Sequence, residues 1–227
     1  MAWNVKKAWA VVPALAVAGC SLSVDVEVGE DDIHVRGSGV LVTQVRDARG
    51  FHGVSVAGAA KVRIERTGRE RVEITAEDNL QPYLGVSVRG GILHVGPEPG
   101  VSLSPTRDIT VVIEVEELDR VEASGVVEVD AALGEGTDLR VILSGVTRLD
   151  VSGSVEALDV TLSGASAFHG LDLESERARV TASGACSADV NASDELVAWA
   201  SGVTIIRYIG DPTVEAHVSG LAIVRRY

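Results

Sequence analysis

The sequence predicts an all-β fold, a parallel β-helix whose coils are about 20 residues long, and three observations carry the prediction. Ser-Gly recurs six times at near-constant spacing in the second half, with glycines at 125, 145, 164, 184, 202 and 220, so at intervals of 20, 19, 20, 18 and 18 residues. Around each glycine apolar and polar residues alternate, the mark of a strand with one buried face. No helical stretch of ten or more residues separates the repeats, so strands of consecutive coils must stack in parallel.

Aligned on the glycine, the column two residues earlier holds Ala123, Leu143, Leu162, Ala182, Ala200 and Val218. The column four earlier holds Val121, Val141, Val160, Val180, Ala198 and Ala216. After the glycine the apolar pattern resumes at Val126, Val146 and Val203, and again four residues on at Val129, Leu149, Phe168, Ala188, Ile206 and Val224. Each coil is thus expected to hold two short strands joined at a Ser-Gly corner, where a bend with positive φ or a close backbone approach suits glycine. The serine column reads as corner chemistry. Nucleophilic catalysis requires one serine with one base and one oxyanion site, not six equivalent copies.

Residues 1–19 read as a signal segment: Lys6 and Lys7, an Ala/Val-rich run from Ala8 to Ala18, then Val17-Ala18-Gly19-Cys20. The run is too short for a mature membrane span. Small residues before a cysteine resemble a bacterial lipobox, which makes Cys20 the expected lipidation site. Residues 20–36 read as an acidic tether, and the folded domain is expected over 37–227. Its irregular part is 37–118 and its regular Ser-Gly coils are 119–227. Phe51 to Ile64 repeats the coil once more, with Val54 and Val56 before Gly58 and Val62 and Ile64 after it. Between Arg66 and Leu118 strands are expected at 71–76, 84–88, 92–95 and 109–115, separated by turn residues. This segment is expected to cap the stack.

Loss of residues 1–19 removes two lysines and no acids, so the net charge of −13 becomes −15. Such acidity disfavours nucleic acid, which requires a basic face. With Cys20 lipidated, Cys186 has no partner, and no intrachain disulfide is expected. Cys186 stands where other coils carry Val127, Thr147, Ser166 and Thr204, which suits a small side chain. No cofactor or metal ligand set is expected.

The stretch from Gly37 to Leu84 carries Gly50-Phe51-x-x-Val54-x-Val56-x-Gly58 and Thr75-Ala76-Glu77-Asp78-Asn79-Leu80-x-Pro82-Tyr83. With the serial Ser-Gly coils and Gly210-Asp211-Pro212, it resembles the "putative auto-transporter adhesin head GIN domain" family over most of residues 37–227. The resemblance implies a right-handed parallel β-helix in bacterial secreted proteins and lipoproteins, with no established molecular activity. Members often carry an acid at the corner, which this chain lacks.

Five residues after each glycine stand Asp130, Asp150, His169, Asp189, Arg207 and Arg225, expected to face solvent as a charged column. His169 is placed to neighbour Asp150 and Asp189 across coils. Trp199 stands in an outward column with Ile142, Thr181 and His217. The reading these features support is a lipid-anchored protein of the bacterial cell envelope, extracytoplasmic and in the outer membrane if the bacterium is Gram-negative. Its function is display or adhesin-like binding of an envelope protein or glycan, without catalysis. The alternative is a glycan-active β-helix enzyme, a lyase or hydrolase.

Overall fold

Apolar residues at every second position bury one face of each strand, and strands of successive repeats bond edge to edge. The computed structural model describes residues 33–227. Cys20, the 1–19 segment and most of the 20–36 tether lie outside the described residues. The protein is all-β, with one short 3-10 turn at Gln81–Tyr83 and no α-helix among the described residues.

The regular part comprises β9 (Arg120–Glu135), β10 (Asp138–Leu162), β11 (Ala167–Gly184), β12 (Ser187–Gly202), β13 (Ile205–Ile209), β14 (Thr213–Val218) and β15 (Ile223–Arg226). All their pairings are parallel, β9 with β10, β10 with β11, β11 with β12, then β12 with β13 and β14, and β13 with β15. Glycine lies on glycine: Gly125 pairs with Gly145 and Gly184 with Gly202. The earlier weak repeat joins the same stack. In β3 (Gly53–Arg66) Gly58 pairs with Gly125.

Side chains at even offsets from the glycine point inward. Leu143, Leu162, Val141, Val160, Leu149 and Phe168 are at most 1% exposed. One expectation is corrected. The residue directly after the glycine does not resume the buried face, because Val126, Val146 and Val203 are 59–61% exposed. The buried face resumes one residue later, at Val127, Thr147, Ser166, Cys186 and Thr204. This inward column is polar, yet satisfied. Ser166 Oγ donates to the Ser163 carbonyl (2.7 Å), Thr204 Oγ1 to that of Ser201 (2.8 Å) and the Cys186 thiol to that of Ser183 (3.3 Å). The corner serine therefore contributes mainly its backbone carbonyl. Ser163 Oγ itself makes only a long bond, 3.4 Å, to the Leu143 carbonyl.

The glycine column has positive φ throughout, from 74° at Gly220 to 104° at Gly184. At Gly164, with φ 75°, an added Cβ would stand 2.6 Å from the carbonyl oxygen of Gly145 in the coil below. Both the left-handed backbone and the close approach exclude a side chain there.

Beyond β3 the parallel order continues for one more layer. The two halves of β3 pair with β6 (Ile92–Pro97) and β8 (Thr110–Val115). Antiparallel strands then close over these: β5 (Leu84–Arg89) on β6, β4 (Arg71–Glu77) on β8, and β2 (Leu41–Arg46) on β4. The four expected strands of this region are present. Between β6 and β8, where turn residues were expected, lies β7 (Val101–Ser104), which pairs with β1 (Ile33–Arg36). The last residues of the segment read as a tether are thus a strand.

The Glu77-Asp78-Asn79 motif fastens this end. Glu77 is fully buried, and its carboxylate accepts from the Thr106 hydroxyl (2.5 Å), the Thr106 N–H (2.9 Å) and the Gly39 N–H (2.6 Å). Asn79 accepts from the Ser38 N–H and donates to the Arg36 carbonyl, while Ser38 Oγ bonds Asp78. Gln81 donates to the Val42 and Ile74 carbonyls and accepts from Arg46.

Candidate functional site

The charged column five residues after each glycine becomes a continuous ladder. Asp130 pairs in register with Asp150, Asp150 with His169, His169 with Asp189, Asp189 with Arg207, and Arg207 with Arg225. Arg63, five after Gly58, precedes Asp130 in the same line. Sequence reading stopped at six members; extending the column to the weak repeat would have found the seventh.

The ladder is largely self-neutralised. Arg207 clasps Asp189 with two bonds, 2.6 and 2.9 Å. Asp189 is consequently buried, at 6% exposure, which corrects the expectation that the whole column faces solvent. Asp150 receives two bonds from Arg148, 2.6 and 3.0 Å, and lies 3.1 Å from His169 Nδ1. The Arg148 hydrogen bond holds the Asp150 carboxyl below its usual range against the opposing effect of burial, and His169 adds to the lowering. Asp130 and Asp150 are adjacent like charges in the ladder, a repulsion that a nearby positive charge relieves. The Arg148 guanidinium, two residues away on the same face, supplies that positive charge. Among the described residues no group of three or more His, Cys, Asp or Glu is arranged to hold a metal ion. A shallow groove of 450 Å³ runs along the Asp130, Asp150 and His169 portion, with Asp172 and Glu65 on its sides.

Three other surfaces accompany the ladder. Trp199 does not pack under a loop; it stacks on His217 of the next coil, centroids 5.7 Å apart and planes 11° apart. The Arg179 guanidinium lies 5.7 Å from its ring centroid, a cation–π contact. A second groove of 520 Å³ has Arg120, Arg140, Arg177 and Arg179 on its walls, interleaved with Asp138, Asp159 and Glu195. Along the corner, Val126, Val146 and Val203 form an exposed apolar ridge. The remaining histidines do not gather: His52 pairs with Asp119 at 2.9 Å and His217 with Glu215 at 2.8 Å. Cys186 is buried and unpaired.

Chemically, the ladder offers fixed charges at the spacing of the coils. Asp150 and Asp189 are each bound to an arginine, Arg148 and Arg207.

A family model described as "Putative auto-transporter adhesin, head GIN domain" matches residues 50–212. Among solved structures the chain is similar to one from Bacteroides fragilis NCTC 9343 described as a putative adhesin. The two are 16% identical with TM-score 0.71, covering 85% of this chain and 100% of that one. A putative adhesin from Parabacteroides merdae ATCC 43184 is 21% identical with TM-score 0.54, covering 86% and 99%. A structure from Parabacteroides distasonis ATCC 8503, described as a putative lipid binding protein, is 17% identical with TM-score 0.53, covering 86% and 99%. At these identities the likeness is one of fold. Among curated proteins none matches the chain.

Proposed function

The chain belongs to the "Putative auto-transporter adhesin, head GIN domain" family, and from that premise we propose that it is a non-enzymatic, adhesin-like binding module outside the cytoplasm, its stacked coils forming a parallel β-helix. The observation that carries this reading is the parallel pairing of successive repeats, glycine on glycine from Gly58 to Gly145 and again from Gly184 to Gly202. Such a stack repeats each outward position at the inter-strand spacing of about 4.8 Å. It therefore presents long, rigid rows of side chains rather than an enclosed pocket, the geometry of a surface that binds an extended partner. The self-neutralised Asp150 and Asp189 favour binding over glycan cleavage.

The proposed partners are an envelope protein or an envelope glycan contacted along these rows. Attachment to the membrane is proposed through a lipid on Cys20, supported by the basic, apolar, Val-Ala-Gly-Cys order that ends there. Two measurements test the reading. Labelled fatty acid incorporates into the wild-type chain and not into Cys20→Ser; undiminished labelling of the variant overturns the anchor. The purified chain retains envelope glycans or proteins and releases no sugar from them. Sugar release that disappears in Asp150→Asn and His169→Ala overturns the non-enzymatic reading.

A further inference from the structure

The two ends of the stack differ. Next to β3, strands β6 and β8 are followed by antiparallel β5, β4 and β2. At the opposite end, among the described residues, β14 pairs only with β12 and β15 only with β13. The inward residues there are left uncovered. Leu196 and Ala200 of β12 are 0% and 3% exposed, whereas the residues aligned with them on β14, Val214 and Val218, are 38% and 53% exposed. This end combines an unpaired strand edge with exposed core, a combination that invites another strand.

The lettering of β14 is self-complementary. Reversed about Ala216, Thr213-Val214-Glu215-Ala216-His217-Val218-Ser219 sets Val214 opposite Val218, Glu215 opposite His217 and Thr213 opposite Ser219. We propose that a second copy of this chain covers the open end, its β14 pairing antiparallel with β14 about a twofold axis through Ala216. The inward valines then meet valines and continue the core. On the outer face each Glu215, which already pairs with its own His217 at 2.8 Å, meets the partner's His217. Moving the axis to His217 would set Val214 against the partner's Gly220 and Glu215 against the partner's Ser219, losing both matches. A head-to-tail contact would leave a fresh open end at every addition, whereas the twofold contact closes after two copies. Antiparallel closure is also how this chain covers its other end.

The test is sedimentation of the full chain in detergent across a dilution series, with a monomer–dimer equilibrium as the expected result. Glu215 and His217 are 65% and 54% exposed, and the loss of the His217 stack on Trp199 is common to the single and double variants. His217→Glu sets carboxylates opposite each other twice and is expected to weaken the dimer about tenfold. The double variant Glu215→Lys with His217→Glu restores opposite charges and is expected to recover the dimer. In a separate readout, Ala216→Cys is expected to cross-link two copies under mild oxidation, while Asp211→Cys stays single. A wild-type monomer at every concentration, a species larger than a dimer, or a double variant no better than His217→Glu overturns the proposal.

Discussion

At the scale of single residues, the corner divides its labour between glycine and the residue two positions on. Gly164→Val forces a β-branched side chain into φ 75° and against the Gly145 carbonyl. The expected loss is on the order of 3 kcal/mol or more, above the ~1 kcal/mol of an average substitution. Ser163→Ala removes only a 3.4 Å bond and is expected to cost about 0.5 kcal/mol or less. Urea melts of the two variants check both. That the corner required glycine was legible in the sequence; that serine acts through its carbonyl was not. The acceptor belongs to the backbone, and its donor lies three residues later in a column of mixed small residues. Glu77 sets a pH dependence. Chiefly through the Thr106 hydroxyl, and then through backbone N–H groups, its carboxyl is held below the usual carboxylate range. A folded-state pKa lower than the unfolded one adds stability that is present above the unfolded value and is lost as pH falls through the folded one. The melting temperature is therefore expected to drop as the solution is acidified below about pH 4.5. In Glu77→Gln it should be lower at neutral pH, with a shallower fall in acid. Thermal melts at a series of pH values decide this, and parallel curves for the two chains would contradict it.

At the scale of strands, the same column has different worth in different coils. Leu196 of β12 is fully buried between coils, and Leu196→Ala is expected to cost about 2–5 kcal/mol. Val214 of β14, one coil on, is 38% exposed. Val214→Ala is expected to cost about 1 kcal/mol or less when measured in dilute solution. Equal shifts of the urea midpoint would show that the final coil is covered after all. The regular strands were readable because period two and the glycine spacing repeat the same message in every coil. The capping strands were readable as strands but not as partners. Nothing in Arg71–Glu77 or Leu84–Arg89 distinguishes an antiparallel neighbour from a parallel one. Likewise β1 and β7 hold only four residues each and depend on one another across about 70 positions of sequence. For the charged column, Asp150 and His169 could be placed side by side from spacing alone. The burial of Asp189 could not, because it results from how Arg207 folds over it.

At the scale of the whole molecule, each regular strand pairs with the repeats before and after it, so protection from solvent should grade along the row of strands. Amide hydrogen exchange is expected to be slowest in β10 and β11, which have coils on both sides, and fastest in β14 and β15. A uniform rate over all coils would indicate one indivisible cooperative unit. The graded stack also raises the question of how neighbours find their alignment. Alternating side chains specify which face of a strand turns inward, yet they tolerate a slip of two residues, since valine would still meet leucine or alanine. The glycine column removes that tolerance. Every corner carbonyl stands where only a missing side chain can pass, so a slipped coil would drive a Cβ into backbone oxygen. Each corner is thus a key cut for one lock position: it contributes little attraction of its own, and its part in folding is to reject every misthreaded alternative.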